Sequence, residues 1–531
     1  MRNLDSVLRK TSSFGLYQKV VVCLLSTGAA IIDNFNGFAL VFIAYEPPFT
    51  CNLNATLANY NLSFDPHQSY AVEQCSIGLG NASLACTAWA YEHSVFRETL
   101  VSQFNLVCDQ AIIPSIIIAI AEASTIFAGL AYTQLIDRWG RRLTFLVNTG
   151  TFLVGAVASS LMPGVASFTA VRLLAEMNAL ATFNICYIWA MEMVGANSRS
   201  TATTIFYVSM ALARASMSLA AAVSDTWRTY SLITSAPLAV FLLYGFLPES
   251  PGWLLSRGRA EEAAEVILKF IPPNRGWSKE SLLDYIHSDE RSSVEGSLLE
   301  ESSDSGFGSE VKESSSTLEL LREPHLRTKT LLICLVMLSV MVVSETIAYD
   351  SEFLGGNFLL VWAAISLVIG PANLLDAFLL NRFGRIWPCA LTLLLTSLFC
   401  ALAIPASFLQ PALISVFAVI ANFFIFTAEG MTYQLITEEF PTVVRGAGLG
   451  FATVMGDVGV LAMPFIVYAN SVSEDLPMAI LALLSLLGAF AVLCLPETKG
   501  HDMPQSIEDS LWGQQVYNTP ASPHPPSSLC L

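Results

Sequence analysis

Two hexapeptides, DRWGRR at 137–142 and NRFGRI at 381–386, stand 244 residues apart in a chain of 531. Their likeness extends outward in both directions. A glutamate seven residues before an arginine occurs as Glu192/Arg199 and again as Glu438/Arg445, at an offset of 246. LPES at 247–250 returns as LPET at 495–498, at an offset of 248. Three pairs in one order at nearly one offset mean that the chain holds two copies of a single unit.

What surrounds these motifs is apolar. Hydrophobic residues make up 54% of the chain and charged residues only 13%, with a mean hydropathy of +0.57. A soluble protein carries roughly 25% charged residues. The missing charge leaves long runs such as AIIPSIIIAIA and LLICLVMLSVMVV, and about 20 apolar residues cross a bilayer core. Twelve candidate spans begin near Val20, Ala111, Leu143, Phe168, Ala202, Ser231, Thr330, Phe358, Pro388, Leu413, Gly446 and Met478. The expected fold is therefore an all-α membrane protein of twelve spans in two six-helix halves, the parallel-repeat plan of the major facilitator superfamily. The lipid bilayer is its obligatory partner.

The net charge of −17 is concentrated rather than spread. Residues 284–319 hold ten acids against two bases. The short basic segments, DRWGRR, NRFGR and the N-terminus with Arg2, Arg9 and Lys10, belong on the cytoplasmic side by the positive-inside rule. An even number of spans then puts both termini in the cytoplasm. The expected organisation is a cytoplasmic N-terminus (1–19), an N-terminal half (20–247) with an extracellular loop (44–110), and a cytoplasmic linker (248–328). A C-terminal half (329–496) and a disordered tail (497–531) complete it. Within the linker, AEEAAEVILKFI has helical apolar spacing, and the Ser-rich acidic part that follows reads as disordered.

Cys51, Cys75, Cys86 and Cys108 all fall in the extracellular loop, beside sequons at Asn54, Asn61 and Asn81. On the oxidising side, four cysteines imply two disulfides in any of three pairings. In the linker, DSGFGS (304–309) fits a pattern that a ubiquitin-ligase adaptor reads when Ser305 and Ser309 are phosphorylated. Two phosphates would add about −3 to −4 charge there.

Several strings together resemble the organic cation/anion/carnitine transporter family (solute carrier family 22). They are HSVFRETLVSQFNLVCD before span 2, TWR at Thr226, FLLYGFLPESPGWLLSRGR, LNRFGRIWP and EEFPTVVRGAGLG. The cation branch is the nearest in motifs. The resemblance implies a plasma-membrane transporter that moves small organic ions by alternating access. It also implies that Asp137, Arg138, Gly140, Arg141, Glu192 and Arg199, with Asn381, Arg382, Gly384, Arg385, Glu438 and Arg445, form gating latches. The chain departs from the family pattern at Thr133, Asn381, Glu176, Asn178, Ile369, Ser344–Thr346 and Gly252. Those departures keep a non-transporting receptor that retained the fold as an alternative.

Polar residues inside spans are functional candidates, since each must find a partner or line water. They are Asp33, Asn34, Asn36, Glu122, Glu176, Arg214, Glu345, Asp350, Glu429 and Asp457. Acids outnumber bases, which favours cations. The expected substrate-binding set is Asp457, Glu345, Tyr349, Glu429, Arg214, Glu176 and Asn36. Tyr349 stands one helical turn beyond Glu345, and Asp457 occupies the position where the family's cation transporters resemble one another in holding an acid. A zwitterion, with Arg214 meeting its carboxylate, is a second possibility. A structural bridge from Glu176 or Glu122 to Arg214 is the bland one. No P-loop and no hydrolase, kinase or redox constellation occurs, and the six histidines lack metal-ligand spacing. No enzyme activity, cofactor, metal or nucleic acid is expected.

Overall fold

The structure, a computed structural model, describes residues 14–62, 70–79, 82–92, 95–195, 198–271, 277–286, 322, 324–352, 354, 357–406, 410–440, 445–473 and 475–498. The phosphorylation pattern at 304–309, the sequon at Asn81, the basic N-terminus and the C-terminal tail beyond Thr498 lie outside these residues, as do the side chains of Thr133, Asn381 and Arg445.

The N-terminal half contributes α1 (Leu16–Gly37), α2 (Ile112–Trp139), α3 (Arg141–Ser160), α4 (Val165–Glu176), α5 (Ala179–Met191), α6 (Arg199–Ala222) and α7 (Trp227–Ser235), the last running on as a 3₁₀ helix over Ala236–Phe246. The C-terminal half contributes α8 (Pro324–Tyr349), α9 (Phe358–Leu367), α10 (Ile369–Phe383), α11 (Ile386–Ala406), α12 (Pro411–Glu439), α13 (Arg445–Val460), α14 (Met463–Tyr468) and α15 (Leu476–Leu493). Helices dominate because a bilayer offers the backbone no hydrogen bonds, so each spanning segment must satisfy its own.

Eleven helices among the described residues are long and apolar enough to cross a membrane, against the twelve expected. The shortfall is the fourth span, which is divided into α4 and α5 at Met177–Asn178. Asn178 holds the break. Its amide donates back to Leu174 O (2.5 Å), while Oδ1 accepts from Tyr132 and Thr151 on α2 and α3. A short polar side chain that can bond its own backbone competes with helix continuation in this way.

Packing divides by half at one end of the bundle and merges at the other. One core takes nothing from the C-terminal half and includes Phe145, Phe152, Trp189 and Phe206. The linker helix Ala260–Leu268 adds Ala263, Ala264 and Ile267 to that core. A second core, with Met337, Leu393, Met431 and Leu481, draws only on the C-terminal half. The third mixes them: Phe42, Phe168, Trp227 and Tyr230 pack with Tyr349, Phe358, Trp362 and Met463, at the end that carries the 44–110 loop. The halves are thus joined at the loop end.

The loop is a small β unit. Strand β1 (Phe49–Cys51) pairs with a later strand, Trp89–Tyr91, and β2 (Tyr70–Val72), β3 (Ser76–Leu79) and β4 (Ala82–Ala85) form an antiparallel sheet. Of the three possible pairings, the structure joins Cys51 to Cys86 and Cys75 to Cys108. Asn54 and Asn61 are exposed. Two small clusters pack the loop, one of Cys51, Ile77 and Cys86 and one of Val101, Leu106 and Val107, and the first is built on the Cys51–Cys86 bridge itself. The segment before α2 is tied down separately, with Trp227 N donating to Glu98 O and Trp227 Nε1 to Gln103 Oε1.

Replacing Cys51 or Cys75 by serine is expected to lower stability by about 2–5 kcal/mol and to cut surface delivery, measured by surface biotinylation. Uptake per molecule that arrives should change little. Normal delivery of both variants would contradict a stapling role.

Candidate substrate site and charge clusters

At the end away from the loop, the repeated motifs build one cluster twice. Gly140 and Gly384 have φ of 91° and 107°, a region that glycine enters without a Cβ penalty. A Cβ there would come within 2.5 Å of the Glu249 carboxylate and 2.9 Å of the Glu497 carboxylate, respectively. Glu249 accepts from the backbone N–H of Arg141 at 2.9 Å, and Glu497 from that of Arg385 at 2.9 Å. Each carboxylate therefore caps a helix start, where it is favoured. The arginine side chains then reach sideways. Arg141 donates to Glu192 at 2.7 Å, and Arg385 donates twice to Glu438 at 2.9 Å. Ser250 and Thr498 donate to the same two glutamates. Its hydrogen bonds to Glu438 hold the Arg385 guanidinium above its usual range.

Both clusters close within one half rather than across the two. The expected gating residues divide accordingly. Arg141, Glu192, Arg385 and Glu438 form the ion pairs, and the two glycines form the turns. Asp137 is exposed and approaches Arg141 only at 3.4 Å, and Arg138 and Arg382 are exposed. Sequence reasoning missed Glu249 and Glu497 as members, although the LPES/LPET repeat carries both.

The spans hold a buried ion pair of their own. Arg172 Nε donates to Glu176 at 2.5 Å, with both side chains 3% exposed. Glu176 therefore does not bridge to Arg214. The reason is local: the two residues are four apart on α4, hence on one face. Arg172 is an intramembrane charge that sequence reasoning missed. Arg172 also donates to Asn36 O (3.2 Å), and Asn36 Nδ2 donates to Ala175 O (2.7 Å). Arg172, oriented by Glu176, and Asn36 thus fasten α1 to α4. Asp350, near the end of its span, is buried and accepts from Asn470 at 2.5 Å.

The remaining charges converge on Glu345. It lies within electrostatic reach of Asp33, Glu122, Arg214, Glu429 and Asp457. These residues come from six helices: α1, α2, α6, α8, α12 and α13. Tyr349 is already engaged, its hydroxyl facing Gly37 O (2.8 Å) and Glu122 (3.3 Å). Asp376 on α10 is a further intramembrane acid that sequence reasoning missed. Its carboxylate packs against Gly430 of α12, and its Oδ1 is buried without a partner. Other aromatics of the spans are engaged in packing: Trp189 donates to Pro248 O, Tyr187 shares a hydrogen bond with Thr203, and Trp362 stands beside Arg214.

A family model described as "Sugar (and other) transporter" matches residues 54–507. The chain belongs to this transporter family. The transporter is 27% identical to the beta-alanine transporter of Drosophila melanogaster, over 96% of this chain and 89% of that protein. It is 28% identical to the organic cation transporter protein of the same organism, over 95% and 94% of the two. The xylose transporter of E. coli, solved in a partially occluded inward open conformation, superposes with a TM-score of 0.55 at 15% identity, over 92% of this chain and 99% of that one. The transporter has the major facilitator fold.

Proposed function

We propose that the chain moves small organic cations across the plasma membrane by alternating access, with both termini in the cytoplasm. One observation carries this reading. Asp33, Glu122, Glu429 and Asp457 each lie within electrostatic reach of Glu345, and so does Arg214. Carboxylates near a bilayer midplane are each costly, and a permeating cation offsets that cost where the effective dielectric is low. Asp457 and Glu345 are the preferred counter-ions. The name of the organic cation transporter relative is consistent with that substrate class. Fusion of the cores at the loop end and their separation at the other support a state open toward the side of the termini.

The test is uptake of labelled small ammonium compounds in cells that display the protein. Without a coupling ion, a 100 mV potential supplies about 2.3 kcal/mol per charge, or roughly fiftyfold accumulation. Uptake should exceed control cells and fall on depolarisation in high potassium. Surface-displayed protein with no uptake of any ammonium compound would sink the reading.

A further inference from the structure

Tyr349 faces two acceptors and has one hydrogen. Its hydroxyl lies 2.8 Å from Gly37 O and 3.3 Å from a carboxyl oxygen of Glu122. α1 ends at Gly37, so that carbonyl is among those that find no N–H within their own helix. The shorter separation is the usual one for an O–H···O bond, so the phenol hydrogen goes to Gly37 O. Tyr349 then turns a lone pair toward Glu122. An ionised carboxylate only accepts, and two acceptors face to face make no bond. A carboxyl that keeps its proton donates to the phenol oxygen, and all three groups are satisfied.

The surroundings agree. The charged groups that act on Glu122 are acids: Glu345 on α8, Asp457 on α13, and Glu176 on α4, which Arg172 already holds. α1 adds Asp33, which shares Glu345 as a neighbour. Of the other helices packed on α2, α3 carries Arg141 and Arg142 at its first turn, and the titratable residues of α5 and α14 are Cys186, Tyr187 and Tyr468. Among the described residues no lysine or arginine pairs with Glu122.

The contact also crosses the molecule. Gly37 and Glu122 belong to the N-terminal half and Tyr349 to the C-terminal half, within the core that joins the halves at the loop end. Parting of the halves there takes Tyr349 away from Glu122. Glu122 is only half-buried, which leaves its proton a way out.

We infer that Glu122 is a proton-binding site, and that closing the loop end requires a proton there, taken up from outside and released inside. The inference rests on the cation reading and adds one proton to each cation carried. The only bond made and broken is that between the carboxyl oxygen and its hydrogen. The closed state holds more protons than the open one, so acid outside favours closure and a rise in external pH opposes it. Glu345 and Asp457 remain the counter-ions of the cation.

The experiment follows labelled quaternary ammonium compounds, whose charge is the same at every pH, into cells held at one membrane potential and loaded with a cytosolic pH dye. Wild-type uptake should rise several-fold as external pH falls from about 8 to about 6, and by at most about tenfold per unit if one proton is needed. The cytosol should acidify as the compound enters. Glu122→Gln keeps an N–H donor for Tyr349 and cannot titrate. Its own uptake, normalised to surface protein, should vary by less than about twofold over that range and carry no acid. A flat wild-type profile, or wild-type uptake without acidification, would overturn the proton site and leave the cation reading standing. These two measurements need no variant, and they decide the matter if Glu122→Gln is inactive or absent from the surface. A Glu122→Gln profile as steep as that of wild-type would also overturn it, by placing the proton on another acid. Uptake of no quaternary ammonium compound at any external pH would sink the cation reading and this inference with it.

Discussion

Asp457→Asn is expected to reduce ammonium uptake by about thirtyfold or more while surface expression stays normal. Asp457 lies on α13, half-buried, within electrostatic reach of Glu345 and Glu122. Removing one partner of a desolvated charge pair costs about 2–5 kcal/mol, and a factor of ten corresponds to about 1.4 kcal/mol. The amide keeps the shape and loses only the charge. Asp457→Glu retains the charge on a longer arm and should alter affinity more than maximal rate. Glu345→Gln provides the comparison, because Glu345 is the residue common to every other acid at the centre. If both variants abolish uptake, the acids act as one counter-ion cluster. Wild-type uptake by Asp457→Asn would remove Asp457 from the site, and wild-type uptake by both would remove the cluster as the cation's partner.

The second large effect concerns folding. Arg172→Ala would leave Glu176 buried and unpaired on α4, which destabilises by about 3–5 kcal/mol. Much of a domain's net stability is of that size, so little protein should reach the surface or survive extraction in detergent as a single species. The double variant Arg172→Met/Glu176→Leu removes both charges and fills similar space. It should recover delivery relative to either single variant, because replacing a buried pair by apolar side chains is often nearly neutral. Recovery should be incomplete, since Asn36 O loses the donor it has at 3.2 Å. Size-exclusion chromatography of the solubilised protein and surface biotinylation would read both. Single variants delivered as well as wild-type would mean that the pair does not hold α4.

Both effects depend on features that the sequence shows unequally. The spans, the two halves and the confinement of four cysteines to one loop were legible in the sequence. Lipid leaves the backbone no partner but itself, so apolar length alone identifies a spanning helix. The duplicated motifs likewise marked Arg141 with Glu192 and Arg385 with Glu438 as equivalent sets, and the ion pairs then formed inside each half. The acids of the centre could also be named, because a carboxylate in an apolar run is conspicuous.

Which distant charges meet was decided by tertiary structure. Glu176 met Arg172 four residues away on its own helix, a pairing the sequence itself carried, whereas packing set Arg214 over Phe38 with Nε and one terminal nitrogen unpartnered. The break at Asn178, the closure of Glu249 and Glu497 over glycine turns, and the choice among three disulfide pairings were settled in the same way. Sequence periodicity assigns a residue to a face of its own helix. The rotation of that helix, and the neighbour it turns toward, are fixed only when all the helices pack at once. The composition of this chain therefore determined that carboxylates would crowd the membrane interior, and packing determined that, among the described residues, Arg214 would stand near them without a contact ion pair.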